Sequence, residues 1–161
     1  MPEEIKHTSH PLLRDDFLHE IEPYTVQRPE IVSGSAYYFV TGSGLQYEVL
    51  FAKKKDNYLE NIINFSVLND EFEDEYSETN RGEVYQVIAT VLEIVRIYHE
   101  NHSYSISYEF SGEYKDDESR EGASIRTRLY FRKAKQVIHS EWEIILQENK
   151  VIVRRKKGYH V

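Results

Sequence analysis

Few residues in this 161-residue chain have the type and spacing needed for metal-dependent chemistry. His99 and His102 lie three positions apart at the end of a predicted helix, a spacing that can direct two imidazoles toward one metal ion. No third ligand accompanies them, and the pattern differs from the His-Glu-x-x-His arrangement of zinc proteases. We therefore interpret both as exposed residues at a helix end and predict no metal site.

Carboxylates are concentrated in residues 70–78, DEFEDEYSE. Glycoside hydrolysis needs two carboxyl groups at a controlled separation, and adjacency along a loop does not control it. A charge run of this kind is typical of a solvated loop. The functional alternatives are a docking surface for a basic partner, with Glu73 and Asp74 as candidate contacts, and mimicry of nucleic acid.

Basic side chains form two later clusters, one around a predicted second helix and one at residues 154–157. With the interleaved aromatic residues Tyr130 and Phe131, the first cluster could hold a phosphate-bearing ligand or a single-stranded nucleic acid. The alternative is a solvated helix face. Acidic residues before the long helix and basic residues after the short second helix also suit self-association or a charged protein partner. The first cluster comprises Arg120, Arg126, Arg128, Arg132, Lys133 and Lys135, of which Arg126, Arg128 and Arg132 are the candidate partner contacts.

Composition narrows the classes of function. The net charge of −8 argues against an overall electrostatic footprint for nucleic acid or anionic lipid. The absence of cysteine excludes disulfides, thiol catalysis and iron–sulfur clusters, and fits a reducing compartment. The N-terminus lacks the apolar core of a signal peptide, and no stretch is long and apolar enough to span a membrane. We expect a cytoplasmic protein without membrane contact.

Alternating apolar residues predict three strands before residue 70. The first covers residues 36–40, the second residues 45–51 and the third residues 62–68, with reversals at Thr-Gly-Ser-Gly and at residues 53–57. The apolar side chains of the second strand are Leu45, Tyr47, Val49 and Phe51. These segments predict an antiparallel meander.

A long amphipathic helix is predicted over residues 84–98, because its apolar residues recur three and four positions apart. Thr79 and Asn80 offer an N-cap, and Glu83 completes a capping box. A strand at residues 104–110, a second helix, and strands at residues 141–147 and 151–153 follow. The second helix is expected to turn Ile125, Leu129, Tyr130 and Ala134 inward, and Arg126, Arg128, Arg132, Lys133 and Lys135 outward.

The predicted architecture is therefore α+β, with a largely antiparallel mixed sheet and the order β-β-β-α-β-α-β-β. Residues 1–33 are interpreted as a partly irregular lead-in segment, residues 34–157 as a single domain, and residues 158–161 as a tail. One domain suits a chain of this length.

This order resembles the C-terminal three quarters of the GNAT (N-acetyltransferase-like) fold over residues 36–154. The chain is also similar to an uncharacterised family of small bacterial and phage proteins whose function is unknown. The residues that carry the second resemblance are Asn80-Arg-Gly82, Thr90-Val91, Ile94 and Arg126-Thr-Arg-Leu-Tyr130.

The GNAT resemblance implies acetyl-CoA as a cofactor, with its pyrophosphate bound by backbone N–H groups at the start of the long helix. The matching residues are Asn80, Arg81 and Gly82, where one glycine remains of the two that the family pattern expects. Tyr130 stands where the family carries a general acid, although Ala134 and Lys135 replace the glycine and phenylalanine that usually follow. Glu83 and the acidic run would repel a diphosphate, by about 1 kcal/mol per unit-charge pair at about 4 Å in water.

We therefore expect a non-catalytic or degenerate GNAT-like interaction module that binds a partner protein or itself and needs no cofactor. The first alternative is a CoA-dependent N-acyltransferase that uses Arg81, Gly82 and Tyr130. The second is a nucleic-acid- or nucleotide-binding accessory protein built on the basic face of residues 120–135.

Overall fold

A computed structural model of the protein describes residues 11–14, 21–31, 34–68, 81–111 and 122–156, with the side chains of residues 81 and 82 excepted. These residues form six strands and two helices. In chain order they are β1 (Ala36–Val40), β2 (Gln46–Lys54), β3 (Asn57–Val67), α1 (Arg81–Asn101), β4 (Ser107–Phe110), α2 (Ile125–Val137), β5 (Trp142–Gln147) and β6 (Lys150–Arg155). The predicted α+β class is confirmed.

The six strands form one mixed sheet in the order β1-β2-β3-β4-β6-β5. β3 and β4 run parallel, and the other four pairs are antiparallel. Three of the antiparallel pairs, β1–β2, β2–β3 and β5–β6, are joined by short turns, whereas β4 reaches β6 only through α2 and β5. The parallel pair needs a crossover, which contains α1. β4 is shorter than predicted, because residues 102–105 form a turn that is closed by a hydrogen bond from the N–H of Ser105 to the carbonyl of His102 (2.9 Å), and Tyr104 in this turn is 48% exposed.

Both helices pack on the same face of the sheet. The strand residues on this face alternate with residues on the opposite face, as a pleated strand requires. Their side chains form the core with the inner sides of the helices. The buried hydrophobic strand residues are Tyr37, Phe39, Tyr47, Val49, Phe51, Ile63, Phe65, Tyr108, Phe110, Trp142, Val151 and Val153.

Helix α1 is buried on more than the one side that its amphipathic pattern predicts. The predicted apolar residues face the core, and Ile94 and Ile97 are buried as well. Part of the lead-in segment covers the helix. The backbone N–H of Tyr24 donates to Thr90 Oγ1 (2.9 Å), and Gln86 Nε2 donates to the carbonyl of Glu22 (3.0 Å). These contacts tie residues 22–24 to the domain.

Helix α2 is rotated relative to the sequence-based expectation. Arg126 and Lys133, predicted to point outward, are 6% and 8% exposed, whereas Ile125, predicted to point inward, is 37% exposed. The prediction was wrong because it assigned sides by polarity. Arg126 and Lys133 are seven positions apart, so they lie on the same side of the helix. Long basic side chains can lie in the interior because their aliphatic stems are apolar. The buried stripe comprises Arg126, Thr127, Tyr130, Lys133, Ala134 and Val137.

Candidate functional site

Tyr130, the candidate general acid, lies inside the core. Its ring packs edge-to-face against Phe65, with centroids 5.0 Å apart, and against Phe110, with centroids 5.6 Å apart. The pairing of β3 with β4 ends at Ile63 and Phe110, and β3 continues to Val67. Tyr130 therefore packs on the face of the sheet where the β3–β4 pairing ends. At 2% exposure its side chain is closed to substrate in this conformation.

The start of α1, the candidate cofactor-binding position, adjoins the turn between β1 and β2. Arg81 and Gly82 are the first two residues of the helix, and Asn80 lies outside the described residues. The carboxylate of Glu83 accepts hydrogen bonds from the backbone N–H (3.1 Å) and the hydroxyl (2.5 Å) of Ser43. A negative charge is therefore fixed in the first helical turn, where a diphosphate would need positive potential.

His99 and His102 are buried, so their prediction as exposed helix-end residues was wrong. His99 Nδ1 lies 2.6 Å from Tyr108 Oη, and the ring of His102 stacks on Tyr98 at a centroid distance of 3.8 Å. His102 Nδ1 also lies 2.9 Å from the carbonyl of Tyr98, so this nitrogen carries the proton that it donates. His99 therefore fixes the last turn of α1 against β4, whereas His102 follows the end of the helix at Asn101 and packs on Tyr98.

Tyr98 and Tyr108, which contact these two histidines, have raised pKa values because they are buried. Burial raises the pKa of Tyr98 to about 12, and it raises the pKa of Tyr108 further still. The Tyr98 hydroxyl donates to Asn61 Oδ1 (3.2 Å), and Asn61 Nδ2 donates to the carbonyl of Ser107 (3.0 Å). The cluster therefore joins α1, β3 and β4. Within the described residues, no group of three or more histidine and carboxylate side chains could hold a metal ion.

An open groove lies between α2 and β5, with a volume of about 440 Å³. Arg128, Arg132 and Lys135 line it from the helix, at positions that a helical repeat of 3.6 residues places on one side. Phe131, on the same helix, and Leu146, on β5, are half-buried and supply its apolar surface. The ammonium group of Lys135 lies 5.1 Å from the centre of the Phe131 ring.

The groove is a region of unbalanced positive charge. Its three cationic side chains are exposed, and among the residues that the structure describes no carboxylate pairs with any of them. Helix α2 carries five basic residues and no acidic one. A partner with negative charge would therefore gain contacts without displacing a described ion pair.

A second groove, of about 470 Å³, lies between residues 22–28 and α1. Glu22, Arg28 and Glu93 are among its lining residues, so charges of both signs are present. Arg96 already holds Glu93 in an ion pair (2.6 Å). This mixed charge makes it a weaker candidate for an ionic ligand than the groove on α2.

Only part of the predicted basic site comes together. Arg128 and Arg132 share the groove, whereas Arg126 lies in the buried stripe on another side of α2. Glu73 and Asp74 lie outside the described residues. Lys135 was in the basic cluster but was not a candidate contact, although its spacing from Arg128 and Arg132 indicates a shared face. Leu146 comes from a distant strand, and no local pattern could have revealed it.

Comparisons with protein-family models, with curated proteins and with solved structures found no match. The geometry of the chain itself is therefore the basis for assigning a function. Within the described part of the chain, neither helix combines the length and apolarity needed to cross a membrane.

Proposed function

We propose that this chain is a non-catalytic GNAT-like binding module that holds an acidic partner protein in the groove between α2 and β5. The observation that carries this proposal is the convergence of Arg128, Arg132 and Lys135 around the half-buried Phe131 and Leu146. A mixed apolar and cationic surface suits a protein partner, because apolar contacts add affinity and charge adds selectivity. The order of the described elements supports the GNAT-like part of the proposal.

The acyltransferase alternative has less support. It needs an accessible phenol at Tyr130, whose ring is enclosed by Phe65 and Phe110, and it needs anion binding beside the carboxylate of Glu83. Calorimetric titration with acetyl-CoA is expected to give no binding heat. Micromolar binding that is lost on Gly82→Pro would favour the enzyme instead.

The groove also supports a second candidate, the binding of single-stranded nucleic acid. Phe131 could stack with a base while the neighbouring cations contact phosphates. The net charge of −8 opposes this candidate by repelling a polyanion at long range. A protein partner can restrict its negative charge to the part that enters the groove.

A direct test compares binding of a fluorescein-labelled polyglutamate peptide and a labelled thymidine oligonucleotide by fluorescence anisotropy. The groove variant is Arg128→Glu, Arg132→Glu and Lys135→Glu. The control is Lys55→Glu, Lys150→Glu and Lys156→Glu, which changes the net charge equally at three exposed lysines outside the groove. If each exposed contact contributes up to about 1 kcal/mol, the groove variant should lose up to about 3 kcal/mol, or about a hundredfold in affinity.

The two candidates differ in the expected results. The proposal expects peptide binding that weakens in the groove variant, changes little in the control, and falls with increasing salt. Equal losses in both variants would show that net charge alone matters and would refute the groove. Tight binding of the oligonucleotide without the peptide would favour the nucleic-acid candidate.

A further inference from the structure

We propose that the partner enters this groove as an acidic segment in extended conformation, which pairs with the outer edge of β5. This inference rests on the proposed function and specifies the chemistry of the partner. It requires an unpaired strand edge, a helix that runs along it, and cations at a spacing that an extended chain can match.

β5 is the last strand of the sheet and pairs only with β6 among the described strands. A two-residue turn at Glu148 and Asn149 joins them, so the flanking residues Gln147 and Lys150 form a hydrogen-bonded pair. Such pairs alternate with non-hydrogen-bonded pairs along an antiparallel ladder. The backbone N–H and C=O groups of Ile144 and Leu146 therefore point away from β6, toward the open edge.

Among the described residues, this edge lacks most features that usually prevent a strand from accepting another one, and its one charged residue, Glu143, pairs with Arg154 of β6. β5 has the sequence WEIILQ, with no lysine, no proline and a continuous register with β6. At the opposite end of the sheet, β1 is partly covered, because Gln27 and Tyr38 exchange two backbone hydrogen bonds of 2.7 and 3.0 Å. Of the two outer strands, β5 is the one with the more open described edge.

Helix α2 lies beside β5 and runs in the opposite direction. The backbone N–H of Ser124, at the start of the helix, donates to the side chain of Asn149 beyond the end of β5 (2.8 Å). Past the other end of the helix, the carbonyl of His139 accepts from the N–H of Trp142, where β5 begins (3.0 Å). A chain paired with β5 would therefore lie next to α2 along its length.

The spacing of the cations matches the period of an extended chain. Arg128 and Arg132 are four residues apart, a rise of about 6 Å along a helix. Alternate side chains of a strand are about 6.6–6.8 Å apart and point to the same face. Acidic residues at alternate positions could therefore face both arginines, with an apolar contact to Phe131 and Leu146. A single-stranded nucleic acid would not use the backbone groups of β5 in this way.

The test uses a labelled peptide of alternating glutamate and valine and two isomers that are N-methylated on opposite edges. N-methylation removes backbone donors from one edge while charge and side-chain order stay the same. We expect one isomer to lose at least tenfold in affinity and the other to change less than threefold. Equal affinities of the two isomers would overturn edge pairing.

A variant of the protein tests whether the backbone of β5 takes part in this pairing. Ile144→Pro removes an outward N–H without removing a bond to β6, and proline is tolerated at such edge positions. Ile144→Ala keeps the N–H and measures the contribution of the side chain. With the fold verified by circular dichroism, the proline variant should bind the unmethylated peptide at least tenfold more weakly than the alanine variant, and equal binding would contradict the inference.

Different results would refute the extended binding mode and the proposed binding function. If the charge-reversed groove variant loses the peptide but both N-methylated isomers and Ile144→Pro still bind normally, the extended mode is wrong and the binding module stands. If charge reversal in the groove has no more effect than the control variant, the proposed function is wrong as well.

Discussion

Replacement of Tyr130 by alanine would remove the ring that packs against both β3 and β4 where their pairing ends. The ring is 2% exposed and contacts Phe65 and Phe110 in edge-to-face geometry. Truncation of a buried large aromatic side chain costs about 3–5 kcal/mol, since transferred area is lost and a cavity remains. The two edge-to-face pairs account for part of this cost, at about 0.5–1.5 kcal/mol each. We therefore expect a loss of about 4 kcal/mol in the free energy of unfolding.

Urea denaturation followed by circular dichroism measures this loss. For a chain of this size, about 4 kcal/mol corresponds to a decrease of about 8–16 °C in Tm. Tyr130→Phe keeps the ring and should cost no more than about 1.5 kcal/mol, the usual contribution of one hydrogen bond. Tyr58→Ala, at a site that is 70% exposed, serves as the control and should change stability by less than about 0.5 kcal/mol. A Tyr130→Ala variant as stable as this control would refute the stabilising role of this ring.

Three further predictions concern stability. The free energy of unfolding should fall as the pH rises from 10 to about 12, by up to about 1.4 kcal/mol per pH unit, because the raised pKa of Tyr98 means that this tyrosine ionises in the unfolded state first. Below pH 10 this contribution to stability is fully present. Urea titrations at pH 9 and pH 11 measure the fall, which should be smaller in Tyr98→Phe than in the unmodified protein. Gly44→Ala should lower the free energy of unfolding by about 1 kcal/mol, since Gly44 has a φ of 95° that alanine rarely adopts. Gly42→Ala is the control and should lower it by less, so equal Tm values for the two variants in thermal melts would contradict this prediction. Ser124→Ala should cost about 1 kcal/mol in the same melts, because the N-cap bond to the N–H of Thr127 is lost, and an unchanged midpoint would show that this cap contributes nothing.

The sequence predicted most of what depends on local periodicity. The alternation of Tyr47, Val49 and Phe51 correctly identified the buried face of β2, and the apolar repeat of α1 correctly identified its core side. These patterns work because a strand or helix repeats its geometry along the chain.

The errors arise where long polar side chains pack into the interior. Arg126 and Lys133 share a buried stripe with Thr127 and Tyr130, and polarity alone placed both outside. His99 is buried because Tyr108, on a later strand, lies within hydrogen-bonding distance. Such partners are set by tertiary structure, and a single sequence does not contain their pairing.

The candidate site was predicted in part for the same reason. Arg128, Phe131 and Arg132 lie on one helix, so their spacing indicates a shared surface. Leu146 and the open backbone edge of β5 depend on the strand order, which places β5 outside β6 although it precedes β6 in the chain. This topology is a non-local property.

The parallel junction between β3 and β4 has a consequence for how the domain assembles. On one side of the junction β1, β2 and β3 are joined by hairpins, and on the other side β5 and β6 form a hairpin. By contrast, Asn61 and Ser107, which are joined across the junction, are 46 positions apart. Closing a loop of that length costs entropy before its contacts form, and helix α1 shortens the distance that the chain must span. The β1–β3 meander and the β5–β6 hairpin contain only local pairings, and the union of the two sides of the sheet across the four β3–β4 residue pairs is expected to be the slow, cooperative step that gives the chain a single native sheet.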